Sequence, residues 1–165
     1  MVDWNDLLDE HGSLILRISW RILGNQADAE DNLQEVLVKA IQIEDRETVR
    51  HWRGLLRRLT TFSALEKLRR RRDHLALSDD SIADPGDSPE QLAIRQELKM
   101  RLRGALATLP RREGAVFSLR YFEELTLNEI AESLGISYAA AGTALSRARS
   151  KLHNIVSPTT TENDQ

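Results

Sequence analysis

Apolar residues recur at three- and four-residue intervals along most of this 165-residue chain. That spacing is the period of an amphipathic helix. Trp4, Leu7, Leu8, Leu14, Ile15, Ile18 and Ile22 mark the first stripe. It stops at Gly24-Asn25, two residues that tolerate the left-handed cap conformation. A second stripe, Ala29, Leu33, Val36, Leu37, Ala40 and Ile41, predicts a helix beginning near Asp28. Its first turn holds Asp28, Glu30 and Asp31, the charge sign that suits a helix N-terminus. A third helix is expected from about Thr48 to Arg72. Val49, Trp52, Leu55, Leu56, Leu59 and Leu65 or Leu68 form its inner side, and Arg and Lys crowd the other.

The pattern then breaks. Residues 73–89 contain Asp73, Asp79, Asp80, Asp84 and Asp87 together with Pro85, Gly86 and Pro89. This stretch reads as a flexible acidic linker. Helical spacing resumes after Ser88, which can cap the next helix in a box with Gln91. Leu92, Leu98, Leu102, Ala105, Leu106 and Leu109 supply its stripe, and Pro110 ends it. A short helix follows from Glu113 to Tyr121. Thr126 and Glu129 form a second capping box and open another short helix through Leu134. After a turn at Gly135-Ile136, Ser137 caps a last helix reaching about Asn154. No alternating strand pattern competes. The expected fold is all-α, with two small helical domains joined by a flexible acidic linker. The domains cover residues 1–74 and 90–155, the linker 75–89, and a disordered tail 156–165.

Composition removes several function classes. There is no cysteine, so disulfides, thiolate metal sites and cysteine nucleophiles are excluded. The four histidines are scattered without ligand spacing, and no metal or cofactor is expected. No apolar run approaches the roughly 18 residues a membrane span needs, so no membrane insertion is expected. The N-terminus is acidic where a signal peptide would be basic, which points to a cytoplasmic protein. The net charge is −3, yet it is unevenly distributed. Residues 1–45 carry ten acids and three bases, whereas residues 46–74 carry ten bases and three acids. Such asymmetry suits one surface for a basic partner and another for phosphate.

Three local patterns give that charge a purpose. Residues 126–152 read as a helix-turn-helix, whose second helix enters the major groove with its first residues on the bases. Those residues are Ser137, Tyr138, Ala139, Ala140 and Thr143, with Arg147, Arg149 and Lys151 placed for phosphates. The basic helix carries Arg57, Arg58, Lys67, Arg69, Arg70, Arg71 and Arg72, enough to make phosphate binding strongly salt-dependent. Phe62 interrupts that face. Taken alone it reads first as a core residue and second as a stacking platform for an unpaired base. The third pattern is the acidic face of Asp28, Asp31 and Glu35. Paired carboxylates can serve acid/base chemistry. With no histidine, glycine-rich loop or phosphate motif beside them, a docking face for a basic protein fits better.

Together these patterns carry a resemblance. Gly24-Asn-Gln-Ala-Asp-Ala-Glu-Asp31 and Gln34-Glu35-Val36 resemble the polymerase-docking region of extracytoplasmic-function sigma factors. Leu55-Leu-Arg-Arg-Leu59 and Ala64-Leu-Glu-Lys-Leu-Arg-Arg70 resemble their promoter-melting helix. Leu106-Ala-Thr-Leu-Pro-Arg-Arg-Glu113, Leu125-Thr-Leu-Asn-Glu-Ile-Ala131 and Leu145-Ser-Arg-Ala-Arg149 resemble their C-terminal helix-turn-helix. The match runs over about residues 5–153. The resemblance implies a transcription initiation factor, not an enzyme, with core RNA polymerase and promoter DNA as partners, an anti-sigma factor besides, and no small-molecule substrate. It assigns Asp28, Glu30, Asp31, Gln34 and Glu35 to polymerase docking. Arg57, Arg58, Thr61, Phe62, Lys67, Arg69 and Arg70 are assigned to the minus-ten element. Ser137, Tyr138, Ala139, Thr143, Arg147 and Arg149 are assigned to the minus-thirty-five element. Phe62 stands where the family often has Asn. The run Ala139 to Gly142 is bare where relatives often carry basic residues.

Two other readings use the same residues. A stand-alone helix-turn-helix regulator would bind duplex operator without polymerase, but no dimerisation heptads accompany the motif. A sigma-like decoy would bind an anti-sigma factor or polymerase without reading promoters, and the bare recognition helix is its motive.

Overall fold

The structure is a computed structural model describing residues 1–72 and 85–156, and its described residues form seven α-helices and no strands. Residues 75–84 of the expected linker and 157–165 of the expected tail lie outside the described residues. Helix α1 spans Trp4–Leu23, α2 Gln26–Glu44, α3 Trp52–Arg72, α4 Pro89–Thr108, α5 Arg111–Tyr121, α6 Leu127–Leu134 and α7 Tyr138–Val156.

Local chemistry sets the helix ends. Asp3 caps α1 by accepting from the amides of Asn5 and Asp6, and Gly24 closes it at φ 75°. A side chain at Gly24 would be strained and would also strike the Arg103 guanidinium. Asn25, expected to help stop α1, is extended and caps α2 through the Asp28 amide. The capping boxes of Ser88 with Gln91 and of Thr126 with Glu129 both form. Gly135, at φ 65°, turns the chain from α6 towards α7. Helix α3 begins four residues later than Thr48. The Val49 amide is instead taken by the Glu44 carboxylate at 3.0 Å, which holds that segment off the helix path.

Helices α1–α3 pack as a bundle around Leu7, Ile15, Val36, Ala40 and Leu56. Trp4 and Trp52 close one end edge-to-face, with ring centroids 5.6 Å apart. At the centre lies Asn32, fully buried, donating to the Ser19 hydroxyl at 2.8 Å and to the Thr60 carbonyl at 3.4 Å. It ties all three helices together.

A larger apolar cluster crosses from this bundle into α4–α7. Leu14, Ile18 and Ile22 of α1 and Leu65 and Leu68 of α3 meet Leu106, Leu109, Val116, Leu119, Ile130, Leu134 and Leu145. Both Leu65 and Leu68 are buried, where the spacing left a choice between them.

Some expected core positions are not core. Leu8 and Ile41 are 38% and 39% exposed because the packed arc of each helix is narrower than its stripe. Leu98 is 52% exposed because the first three turns of α4 extend past the body, and only Ala105 onward is buried in it.

Two substitutions test these points. Gly142 lies inside α7 with nothing within 4 Å of where a Cβ would stand. Gly142→Ala is expected to stabilise the chain by about 0.5–1 kcal/mol, raising the melting temperature by roughly 1–4 °C. Asn32→Ala leaves the Ser19 hydroxyl and the helix junction unpaired. Denaturant melts should show a loss of about 1–3 kcal/mol.

Candidate nucleic-acid interface

Helix α2 presents two kinds of acidic residue. Glu30, Asp31 and Gln34 face solvent. Asp28 and Glu35 are half-buried and turned towards α3, where Arg71 meets Asp28 at 2.9 Å and Lys67 meets Glu35 at 2.7 Å. Burial alone would raise the Asp28 carboxyl. Hydrogen bonds from Asn25 and Arg71, with the charges of Arg71 and Lys67, outweigh it and hold the group below its ordinary range. Beyond Gln34 the exposed face turns apolar through Val38, 54% exposed, and Ile41. Asp31, Gln34, Val38 and Ile41 follow at three- and four-residue steps, so acid and apolar surface form one stripe.

Helix α3 is basic on its outer side, but few of its side chains are unengaged. Thr61 is fully buried and donates to the Arg57 carbonyl one turn back. Phe62 is half-buried against the large core, and the Arg111 guanidinium lies 4.3 Å from its ring centroid. Lys67 is held by Glu35, and Arg69 donates to the Leu109 carbonyl at 3.0 Å. Arg57 donates to Ser133 of α6 at 3.3 Å, while its Nε is buried with no acceptor. Burial first, and then the Arg53 charge, make this guanidinium easier to deprotonate than usual. Arg70 is exposed and meets Glu66 at 3.6 Å. Arg58 also reaches the surface, where it lines a cleft.

Helices α6 and α7 form the expected helix-turn-helix. Ile130, Ala131, Leu134, Ala141, Ala144, Leu145 and Ala148 are buried between them and their neighbours. The Ser137 hydroxyl accepts from the Ala140 amide and caps α7. Ser137, Tyr138, Ala139, Thr143 and Arg147 are all exposed. Ala139, Thr143 and Arg147, four residues apart, share one face. Arg149 stacks over Tyr121 with 5.5 Å to its ring centroid, and Lys151 pairs with Glu113 at 2.7 Å. Both are therefore drawn towards α5.

A cleft of about 870 Å³ opens between α3 and the start of α5. Lys39, Arg58, Arg69, Arg111 and Arg112 surround it, Phe62 lies on its wall, and Glu66 is the one carboxylate lining it among the described residues. A cationic rim over an aromatic wall suits a polyanion carrying flat or apolar groups.

Comparison with known proteins identifies this arrangement. Residues 7–74 match Sigma-70 region 2, and residues 99–152 match Sigma-70, region 4. The ECF RNA polymerase sigma factor SigL of Mycobacterium tuberculosis is 30% identical over 145 residues, covering 86% of this chain and 80% of that protein. The chain belongs to the extracytoplasmic-function sigma factors.

Other members extend the comparison. The ECF RNA polymerase sigma factor SigE of Mycolicibacterium smegmatis is 28% identical over 169 residues, covering all of this chain and 66% of the relative, just under two thirds of its length. The ECF RNA polymerase sigma factor SigW of Bacillus subtilis is 28% identical over 160 residues, with 89% and 85% covered. Among solved structures, CnrH in complex with the cytosolic domain of CnrY superimposes with a TM-score of 0.55 at 22% identity, over 90% of this chain and 83% of that one. The sigma factor RpoE in complex with the anti-sigma factor NepR from Bartonella quintana gives 0.55 at 18% identity, over 93% and 96%. These likenesses establish the all-helical fold.

Sigma factors are initiation factors rather than enzymes. Among the described residues of this sigma factor, no helix is long and apolar enough to cross a membrane. The sequence reading missed Val38 because a lone exposed valine carries no pattern. It missed Arg111 and Arg112 because they join the cleft from the other half of the chain. Their only signal was two adjacent arginines opening a helix after Pro110.

The Asp28 carboxyl yields a pH prediction. A group held below its unfolded pKa stabilises the fold above the ordinary carboxylate range, and that contribution is lost as pH falls through its folded pKa. Asp28→Asn should lower the melting temperature at neutral pH, with the difference from the native chain shrinking as pH falls below the ordinary carboxylate range.

Proposed function

We propose that this sigma factor directs promoter-specific initiation through three surfaces. The α2 stripe docks on core RNA polymerase, with Glu30, Asp31 and Gln34 as polar contacts and Val38 and Ile41 as apolar ones. Asp28 and Glu35 position it through α3. The outer side of α3, with Arg57, Arg58, Phe62, Arg69 and Arg70, engages the minus-ten element as it melts. Thr61 and Lys67 shape that helix from within. The face of Ser137, Tyr138, Ala139, Thr143 and Arg147 reads the minus-thirty-five element, with Arg149 at its edge. Residues 1–74 and 90–155 act as the two working units. The exposed stripe of Ile94 and Leu98 on α4 is a second polymerase contact. The observation that carries the reading is the combination, in one chain, of both sigma regions with an exposed acidic and apolar stripe on α2 and an exposed face on α7. A cytosolic anti-sigma partner follows by analogy with the complexes of CnrH and RpoE.

The bare stretch from Ala139 to Gly142 favours one competing reading, a sigma-like decoy without promoter recognition. Base readout here rests on Tyr138 and Thr143, with Ala139 able to approach a thymine methyl.

Purified protein mixed with core polymerase and a promoter library should yield discrete transcripts, and a chain that never joins core sinks the proposal. Val38→Asp is expected to weaken core binding about tenfold or more, because a buried valine is worth roughly 1.5 kcal/mol. In the assembled holoenzyme, Arg147→Ala should weaken promoter binding and lower its log–log salt slope by about one. If Arg58→Ala with Arg70→Ala leaves promoter opening untouched, the decoy reading gains.

A further inference from the structure

We propose that the cleft between α3 and the start of α5 is a binding site for a nucleoside 5′-triphosphate, whose presence keeps the chain from promoter DNA. The site stands on the geometry of the cleft. Its effect on initiation rests on the sigma-factor reading above.

The cations of the cleft come from three helices: Lys39 from α2, Arg58 and Arg69 from α3, Arg111 and Arg112 from α5. Little inside the chain offsets them. Glu66 is shared between Arg69 at 3.8 Å and Arg70 at 3.6 Å. Among the described residues, Arg58 and Arg112 form no hydrogen bond or ion pair, and Arg111 meets only the face of Phe62. Like charges gathered without counter-ions repel one another, and a dense anion placed among them lowers the energy. A chain of phosphates is such an anion, and guanidinium groups bind its oxygens through paired N–H donors.

The rest of the lining asks for more than phosphate. Leu59, Phe62 and Leu65 contribute apolar wall. A bare phosphate leaves that wall unused, whereas a base gives it a flat partner. The base can stack on the Phe62 ring or on the Arg111 guanidinium that lies 4.3 Å from the ring centroid.

The arrangement suits one nucleotide better than a strand. A single-strand site spreads its cations along the backbone and offers rings to successive bases. Here Phe62 is the one aromatic residue lining the cleft among the described residues, and the cations converge around it from distant parts of the chain. The cleft volume of about 870 Å³ also falls in the range of small-molecule pockets, roughly 300–1,000 Å³.

Arg58, Phe62 and Arg69 belong both to this cleft and to the surface proposed for the minus-ten element. Nucleotide and promoter therefore exclude each other, and the nucleotide level sets how much of the chain is available for initiation.

ATP is the probe. By calorimetry the free chain should bind one ATP, at least about fivefold more tightly than tripolyphosphate, the share due to stacking one base. Arg112 is exposed and lies outside the proposed polymerase and promoter contacts. Arg112→Ala should weaken ATP binding about tenfold. Phe62→Leu should bring ATP down to the affinity of tripolyphosphate while leaving tripolyphosphate binding in place. Circular dichroism verifies the fold of both variants. Absence of saturable ATP binding overturns the site, as does ATP binding indifferent to Arg112→Ala. Equal affinities for ATP and tripolyphosphate overturn the nucleotide assignment. A single-stranded dodecamer that binds more tightly than ATP, and is weakened equally by Arg112→Ala, marks a strand track and overturns it too.

Competition is read with the chain limiting and mixed with ATP before core polymerase and promoter are added. Promoter opening is followed by permanganate reactivity of unpaired thymines. At ATP ten times its Kd, opening should fall about tenfold with the native chain but only about twofold with Arg112→Ala. The nucleotide site of the core enzyme is common to both reactions, so an equal response of the two chains overturns the competition. If the native chain opens no promoter even without ATP, the sigma reading fails and the competition with it. ATP binding by the free chain then still decides the site.

Discussion

Leu65 and Leu68 stand on the most basic helix of the chain, and both are buried. Their burial requires apolar partners on two sides. The α1–α3 bundle supplies one, through Leu14, Ile18 and Ile22, and the C-terminal helices supply the other, through Leu106, Leu109 and Leu119. Helix α3 therefore cannot be an isolated cationic rod. Its inner side fixes the bundle, its next arc receives α4–α6, and only a narrow strip remains for solvent. Burial of this kind is the main favourable term in folding, and it is non-directional. The polar contacts then decide which residues face which.

The charge asymmetry acquires a finer meaning from this packing. The acidic N-terminal stretch and the basic stretch after it partly neutralise each other, through Asp28 with Arg71 and Glu35 with Lys67. These half-exposed pairs contribute little stability individually. Their value is positional: they orient α2 so that Glu30, Asp31 and Gln34 remain outward beside Val38 and Ile41. A sequence count sees five acids and amides on one helix, whereas the folded chain divides them into two that pair with α3 and three that face solvent.

Phe62 shows how a ring packed on the core can still border a surface cleft. Its ring packs against the large core and also forms a wall of the basic cleft. The deciding partner, Arg111, lies forty-nine residues along the chain. No local pattern could have joined the two.

Helix number, order and type, the capping boxes at Ser88 and Thr126, the glycine turns and the helix-turn-helix were legible in the sequence. They rest on interactions within a few residues, where side-chain type and backbone preference act directly. The family was legible for a related reason, since its motifs are strings of neighbouring residues in a set order. What the tertiary structure decided is which stripe positions are core, as with the exposure of Leu8, Ile41 and Leu98. It also decided which bases are already engaged, and that Arg111 and Arg112 complete a cleft begun by α3. These properties depend on surfaces brought together from distant parts of the chain. Helical periodicity says that a face must be covered; only packing says by what.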